Sequence, residues 1–276
     1  MLPKAFALVL LIPISAFCQT LHFGTNLITP GVITEFSAPL NMKARYEVSR
    51  IKLQATHAQG ALLLPEGFDL RKPWPLLIVN VPSGGRSIPM MGAYTNAALS
   101  LGYAVLAADG PQVPQQLDSI QFGWSMLASV LEQMVRTWPQ TKTWPMMPAG
   151  FSGGAKRAAT VAAAMMHDRY RVNGIFMGGC NIDESLGEDR ATFGLKQYQP
   201  GEAFKLVPIF LSNGRTDPIA GPERAAEVRT SMQNSGFRNV RAEIYDGSHQ
   251  LNQENLKAAL QWFKTPSKPS APVSSK

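Results

Sequence analysis

Short runs of consecutive apolar residues alternate with amphipathic stretches along most of this chain. The runs are bounded by glycine and proline and lie at 76–79, 104–107, 175–177 and 207–211. An unbroken apolar run of this length is typical of a strand that is buried on both faces. The segments 59–64 and 240–245 are predicted as further strands, and the alternating segment 46–53 as a strand with one face in water.

Between the strands lie five stretches that fit a period of 3.6 residues and are therefore predicted as helices. They cover residues 94–101, 122–138, 155–166, 222–235 and 253–263. Strands that alternate with helices predict an α/β fold with a mostly parallel central sheet and helices on both faces. We expect no large cap domain, and the turn-rich segment 19–45 receives no firm assignment.

The first 18 residues have the pattern of a secretory signal peptide. One positive charge at Lys4 precedes an apolar run over 5–14, and small residues follow at a cleavage point before Gln19. The run is too short to span a membrane, so no stable membrane span is expected. A secreted or periplasmic protein is predicted. A lipoprotein signal with Cys18 as the lipidated residue is less favoured, because bulky Phe17 precedes it.

Composition sets the domain plan of the remaining chain. Of 276 residues, 45% are hydrophobic and 16% are charged, which excludes a disordered chain. We expect one α/β domain over 19–264. The tail 265–276 consists largely of proline, serine and lysine and is predicted to be disordered.

Charge and residue counts argue against several classes of partner. Lysine and arginine total 26 against 19 acidic residues, but the basic residues are spread thinly, so no nucleic-acid partner is expected. The two cysteines and four histidines show no ligand spacing, so no metal site is predicted. Neither a phosphate-binding loop nor a dinucleotide motif is present, so no cofactor is expected.

The segment Gly-Phe-Ser-Gly-Gly at 150–154 matches the pattern G-x-S-x-G and leads directly into an alanine-rich helix. Such a strand–turn–helix places the serine hydroxyl above the sheet at the positive end of the helix. The glycines let the neighbouring elements approach closely. Pro145 and Pro148, in the segment before the motif, are unusual for a central strand.

A serine hydroxyl is a weak nucleophile and needs a histidine base that is oriented by a carboxylate. His249 follows the predicted strand 240–245 and is the candidate base. Asp217, just after the strand at 207–211, is the candidate acid. Asp183 is the alternative acid, but it shares its segment with other acidic residues, which is typical of a solvated surface.

These residues give the chain a resemblance to the α/β-hydrolases over about 62–263. It is most similar to secreted esterases of the polyhydroxybutyrate-depolymerase and feruloyl-esterase type, on the motifs at 150–154, 213–217 and 247–249. The resemblance implies Ser152 as nucleophile, Asp217 as acid and His249 as base. It also implies an oxyanion hole formed by the N–H of Gly153 and by one N–H in the loop 82–86, for which we select Gly84.

The predicted function is a secreted serine hydrolase that cleaves carboxylic esters, small or polymeric, through an acyl-enzyme. The alternatives are a catalytically silent binding protein of the same fold and a peptidase with the same triad. The charged segment 181–204 makes a poor lid for lipid interfaces, so short acyl or phenolic esters are expected over long-chain triglycerides.

Overall fold

The computed structural model describes residues 21–183 and 201–264. The predicted signal peptide, the predicted tail and most of the segment 181–204 lie outside these residues, so those predictions stay untested. The described strands are β1 Leu21–Phe23, β2 Asn26–Ile28, β3 Thr34–Pro39, β4 His57–Leu63, β5 Leu76–Asn80, β6 Ala104–Asp109, β7 Met146–Phe151, β8 Ile175–Gly178, β9 Ile209–Gly214 and β10 Val240–Tyr245. The described α-helices are α1 Met42–Arg50, α2 Ser87–Met90, α3 Gly92–Ser100, α4 Ile120–Thr137, α5 Gly153–His167, α6 Pro222–Asn234 and α7 Gln253–Lys264.

Eight strands form one sheet in the order β10-β9-β8-β7-β5-β6-β4-β3, and β1 and β2 form a separate hairpin. The six strands from β10 to β6 run parallel, whereas β4 is antiparallel to both of its neighbours. The predicted α/β fold with a mostly parallel sheet is confirmed. Residues 21–183 and 201–264 contain no separate cap domain.

The sheet is covered on both faces, which explains the unbroken apolar runs. Alternate side chains of β5 belong to two different hydrophobic clusters: Leu76 and Ile78 pack with α4 and α5, and Leu77 and Val79 pack with α3 and α7. All five residues of β5 are buried. A central strand of this kind has no face for polar side chains, so its sequence shows no alternation.

The prediction of a strand over 46–53 is wrong, because this segment lies mainly in helix α1. The side chain of Asn41 accepts a hydrogen bond from the N–H of Ala44 at 2.9 Å and so caps the helix. The buried residues Ala44, Glu47 and Val48 share one helical face. The alternation of apolar and polar residues over these few positions was also compatible with that helical face.

Strand β7, which carries the serine motif, is central despite its prolines. Pro148 lies between an isolated bridge from Met146 to Val172 and the first pair of the β7–β8 ladder, Ala149 with Phe176. Its missing N–H therefore falls in a gap of the hydrogen-bond ladder.

Among the described helices, none is long and apolar enough to cross a membrane.

Candidate active site

Three sequence-predicted residues lie at the carboxyl edge of the parallel strands. Ser152 follows β7, Asp217 lies just beyond β9, and His249 lies just beyond β10. Functional groups of open α/β sheets collect at this edge, because the loops that leave parallel strands all emerge there.

Ser152 occupies a strained turn between β7 and α5. Its φ of 55° and ψ of −125° lie in a region that residues with a side chain rarely adopt. The N–H of Ser152 donates to the carbonyl of Gly178 at 2.8 Å, which fixes the turn against β8. Gly153 is the first residue of α5, so its N–H has no partner within the helix and lies at the positive end of the helix dipole.

The glycines of the motif allow α5 to lie directly on the sheet. A Cβ at Gly150 would collide with the carbonyl group of Gly154, and a Cβ at Gly154 would collide with the carbonyl oxygen of Asn80. Both positions therefore require glycine for space, and Ser152 is held above them at the end of β7.

Asp217 and His249 form a close, buried pair. The Nδ1 atom of His249 lies 2.7 Å from Oδ2 of Asp217, whose side chain is fully buried, while that of His249 is 20% exposed. The other carboxylate oxygen accepts the N–H groups of Ile219 and Ala220, each at 2.8 Å. Both oxygens of the buried carboxylate are thus satisfied.

The pKa of Asp217 is shifted by opposing causes. Burial raises the pKa of this carboxyl, but the hydrogen bonds from His249, Ala220 and Ile219 outweigh burial and hold the pKa below its ordinary value. The carboxylate is therefore ionised near neutral pH. An ionised Asp217 favours the imidazole tautomer with its proton on Nδ1, which leaves Nε2 able to accept a proton.

The rival carboxylate, Asp183, does not contact His249. Its Oδ2 accepts a hydrogen bond from the hydroxyl of Ser231 on α6 at 2.8 Å. Of the two candidate acids, the structure pairs Asp217 with the histidine.

His249 stands beside the serine turn. Its ring lies 4.7 Å from the ring of Phe151, the residue before Ser152, and a Cβ added at Gly179 would lie 3.0 Å from its Cε1 atom. In the described part of the chain, the hydroxyl of Ser152 makes no hydrogen bond with His249. Catalytic hydrogen bonds between such groups commonly tighten only when substrate binds.

The loop that carries His249 is tied to the loop that carries Asp217. The backbone N–H and the hydroxyl of Thr216 both donate to the carbonyl of Gly247 at 3.0 Å. The hydroxyl of Tyr245 donates to the carbonyl of Ser248 at 2.8 Å. A Cβ at Gly214 would collide with the carbonyl oxygens of both Gly247 and Ser248, so this close contact depends on glycine.

The choice of Gly84 as an oxyanion donor is not supported by the geometry. The N–H of Gly84 donates to Oδ2 of Asp118 at 2.6 Å and is therefore already used, and the N–H of Gly85 donates to the carbonyl of Pro82 at 3.0 Å. Among the described residues, the N–H of Ser83 has no hydrogen-bond partner. A Cβ at Gly153 would lie 2.9 Å from Cβ of Pro82, so Pro82, the residue before Ser83, lies beside the other predicted donor.

Sequence reasoning missed the residues that support this site from behind. They are Asp118 and Arg157, which hold the loop 82–86, and Asn213, whose buried amide donates to the carbonyls of Cys180 and Ala220. A single charged side chain within the otherwise apolar face of α5 was the available signal for Arg157. Within residues 21–183 and 201–264, no group of three or more His, Cys, Asp or Glu residues could hold a metal ion.

The comparisons with known proteins support the fold, but no single relative matches most of the chain by sequence. No family model matches the chain. MhqD of Bacillus subtilis (strain 168), which carries a provisional description as a hydrolase, is 33% identical over 60 residues. That match covers 21% of this chain and 28% of MhqD, so it spans less than a third of either protein.

Solved structures match over most of the chain at low identity. A Xanthomonas campestris protein described as an α/β serine hydrolase without lid has a TM-score of 0.56 at 18% identity and covers 88% of this chain and 100% of its own. An α/β serine hydrolase homologue from Coxiella burnetii has a TM-score of 0.54 at 16% identity, with 87% and 99% covered. A cold-adapted esterase from an Arctic intertidal metagenomic library has a TM-score of 0.60 at 11% identity, with 88% and 99% covered. The chain therefore has the α/β-hydrolase fold.

Gly214→Ala is expected to separate the two loops that carry Asp217 and His249. The added Cβ has no space, and overpacking of a buried site costs about 1–3 kcal/mol. In NMR spectra, the downfield imidazole N–H signal of the His249–Asp217 hydrogen bond should be lost. Gly92→Ala is the matched control, because a Cβ there meets nothing within 4 Å. If the Gly214→Ala protein kept the signal and the stability of the parent, the close contact would not hold this pair together.

Proposed function

We propose that this protein is an exported serine hydrolase that cleaves carboxylic esters through an acyl-enzyme. The observation that carries the proposal is the placement of a buried Asp217–His249 pair at the same sheet edge as Ser152, which sits in a strained turn at a helix N-terminus. Strain at such a turn costs about 1–3 kcal/mol and is typical of functional positions.

In the proposed reaction, the hydroxyl oxygen of Ser152 attacks the ester carbonyl while Nε2 of His249 accepts the hydroxyl proton. Asp217 holds the tautomer and stabilises the imidazolium that forms. His249 then gives the proton to the leaving alcohol, which departs and leaves the acyl group on Ser152. A water molecule, deprotonated by His249, attacks the acyl-enzyme; the acyl–oxygen bond to Ser152 breaks, His249 returns the proton to the Ser152 oxygen, and the acid is released.

The negative charge that develops on the carbonyl oxygen needs backbone donors. We assign this role to the N–H groups of Gly153 and Ser83, and Ser83 replaces Gly84 because the Gly84 amide is bound to Asp118. Gly153 adds the positive end of the α5 dipole. Two donors aimed at the developing oxyanion are the usual provision for acyl transfer.

The finer parts of the proposal rest on the sequence. Structures that share the fold include an esterase from a metagenomic library and proteins described as serine hydrolases, which supports ester cleavage here. Similarity to the polyhydroxybutyrate-depolymerase and feruloyl-esterase type, and a preference for short acyl or phenolic esters, are part of the proposal. So is export by the signal peptide 1–18, and we expect the secreted or periplasmic protein to begin at Gln19 when its N-terminus is sequenced.

Labelling with a fluorophosphonate tests the proposal. Such a probe phosphonylates an activated serine, so we expect one adduct per chain, on Ser152, with loss of p-nitrophenyl acetate hydrolysis. Ser152→Ala should abolish both labelling and hydrolysis. An intact, folded protein that neither reacts with the probe nor hydrolyses esters would instead be a silent binding protein, and faster cleavage of peptides than of esters would indicate a peptidase.

Asp217→Asn should keep the fold but lower kcat by up to about 10⁴-fold, because loss of the orienting charge leaves the imidazole in the wrong tautomer. Asp183→Asn is the matched control, and we expect less than a tenfold change because that carboxylate is half-buried, bound to Ser231 and not in contact with His249. Steady-state kinetics with circular dichroism on both proteins checks this. The reverse order of effects would overturn the assignment of the acid.

The acid limb of the pH profile should report one ionisation only. Because the pKa of Asp217 lies below its ordinary value, this carboxylate stays ionised from pH 8 down to pH 5, where histidine side chains gain their proton. We expect kcat/KM to fall tenfold per pH unit on the acid side, as His249 loses its ability to accept a proton. A flat profile over this range would exclude His249 as base, and a hundredfold fall per unit would mean that a second group titrates.

A further inference from the structure

Arg157 is an unusual residue for its position on α5. It lies one helical turn after Gly153, on a helix whose other buried residues are small or apolar. Among the described residues, it is the only lysine or arginine that is buried, with 11% of its side chain exposed. A charge is seldom buried without partners, so the groups that surround it are informative.

The partners of Arg157 connect it to the loop 82–86. Its Nη2 atom lies 2.9 Å from the hydroxyl oxygen of Ser83, 2.5 Å from the carbonyl oxygen of Asp118, and 3.1 Å from Oδ1 of Asp118. The remaining carboxylate oxygen of Asp118 accepts the N–H of Gly84 at 2.6 Å. The ion pair therefore holds two consecutive loop residues, Ser83 by its side chain and Gly84 by its backbone.

Apolar packing does little to fix this loop. Pro82, Gly84 and Gly85 are exposed and Ser83 is only half-buried. The guanidinium, in contrast, has a fitted place, because a Cβ at Gly123 on α4 would lie 2.9 Å from its Nη1 atom. A buried ion pair is a weak source of stability, since apolar residues of similar volume often stabilise as much. Its contacts with the loop suggest another role.

We propose that the Arg157–Asp118 pair positions the loop 82–86 so that the N–H of Ser83 faces the developing oxyanion beside the N–H of Gly153. This inference rests on the proposed function. Arg157 acts through the loop and does not touch the substrate, so it is a positioning residue. One ion pair thereby couples the helix that follows Ser152 to the loop that supplies the second donor.

Loss of the Arg157–Asp118 pair should reduce the stabilisation of the transition state more than the binding of the substrate. Removal of a whole oxyanion donor typically lowers kcat by about 10²–10³-fold. For Arg157→Met, which keeps the volume but not the donors, we expect kcat to fall about 10- to 100-fold with KM changed less than threefold. Arg157→Lys keeps the charge but not the planar fork of donors, so its kcat should lie between those of the parent and Arg157→Met.

The decisive readout is the affinity for a boronic acid, which forms a tetrahedral anion on the serine and so requires the oxyanion donors. We would measure the inhibition constant of phenylboronic acid and kcat per site titrated with a fluorophosphonate, which removes any contribution from unfolded protein. For Arg157→Met, the inhibition constant should rise and kcat should fall by the same factor. Ser83→Ala, a mild change that leaves the backbone N–H in place, should show both effects at about three- to tenfold.

Glu47→Gln is the matched control. It removes a carboxylate that is 2% exposed and paired with Arg50 on α1, and no hydrogen bond or ion pair among the described residues links it to the loop 82–86. We expect a lower unfolding midpoint with kcat and boronate affinity unchanged within twofold. If Arg157→Met and Ser83→Ala also lost only stability, the positioning role would be wrong while the proposed function stood. If the parent protein neither hydrolysed esters nor bound the boronic acid, the proposed function itself would be wrong.

Discussion

Helix α5 lies so close to strands β5 and β7 that neither Gly150 nor Gly154 has room for a Cβ. The rest of the candidate site depends on this contact. Because the helix begins directly at the sheet, the chain must turn within one residue, and Ser152 takes up the turn at a φ of 55°. The same contact aims the N-terminus of α5 at the sheet edge, where the loops that follow the other parallel strands also emerge. The proposed nucleophile, Ser152, and a proposed oxyanion donor, Gly153, are thus adjacent residues.

Buried carboxylates organise the loops around that turn. Asp217 accepts two backbone N–H groups and contacts His249, and Asp118 accepts the Gly84 N–H and contacts Arg157. Asp109, the last residue of β6, accepts the N–H groups of Ser87 and Ile88 at the start of α2. In each case a buried carboxylate satisfies amides of a loop or helix start, which apolar packing could not do at an exposed edge. The site is therefore held by charge-assisted hydrogen bonds above an apolar sheet.

Much of this arrangement was accessible from the sequence, for reasons that differ between residues. Buried strands such as 76–79 are identified by unbroken apolar runs, and Ser152 by glycines whose spacing reflects the close contact of α5 with the sheet. The segment 46–53 was assigned wrongly because alternation over a few residues cannot be told from one face of a short helix. Gly84 was a reasonable choice of donor from its position in the loop. Its N–H is bound to Asp118, 34 residues away in the chain, and the sequence does not reveal such a tertiary contact. Arg157 was missed for the same reason, since its partners are 39 and 74 residues away in the chain.

The central claim is that Ser152 forms a covalent acyl intermediate. The most direct measurement is mass spectrometry of protein that is acid-quenched within the first turnover of p-nitrophenyl acetate. The whole protein gives the number of acetyl groups per chain, and a digest of the same sample gives their location. We expect one acetyl group per chain, located on the peptide that contains Ser152, appearing as the first nitrophenolate is released and disappearing when the substrate is exhausted. Continued ester hydrolysis without an acetylated Ser152, or with the acetyl group on another residue, would contradict it.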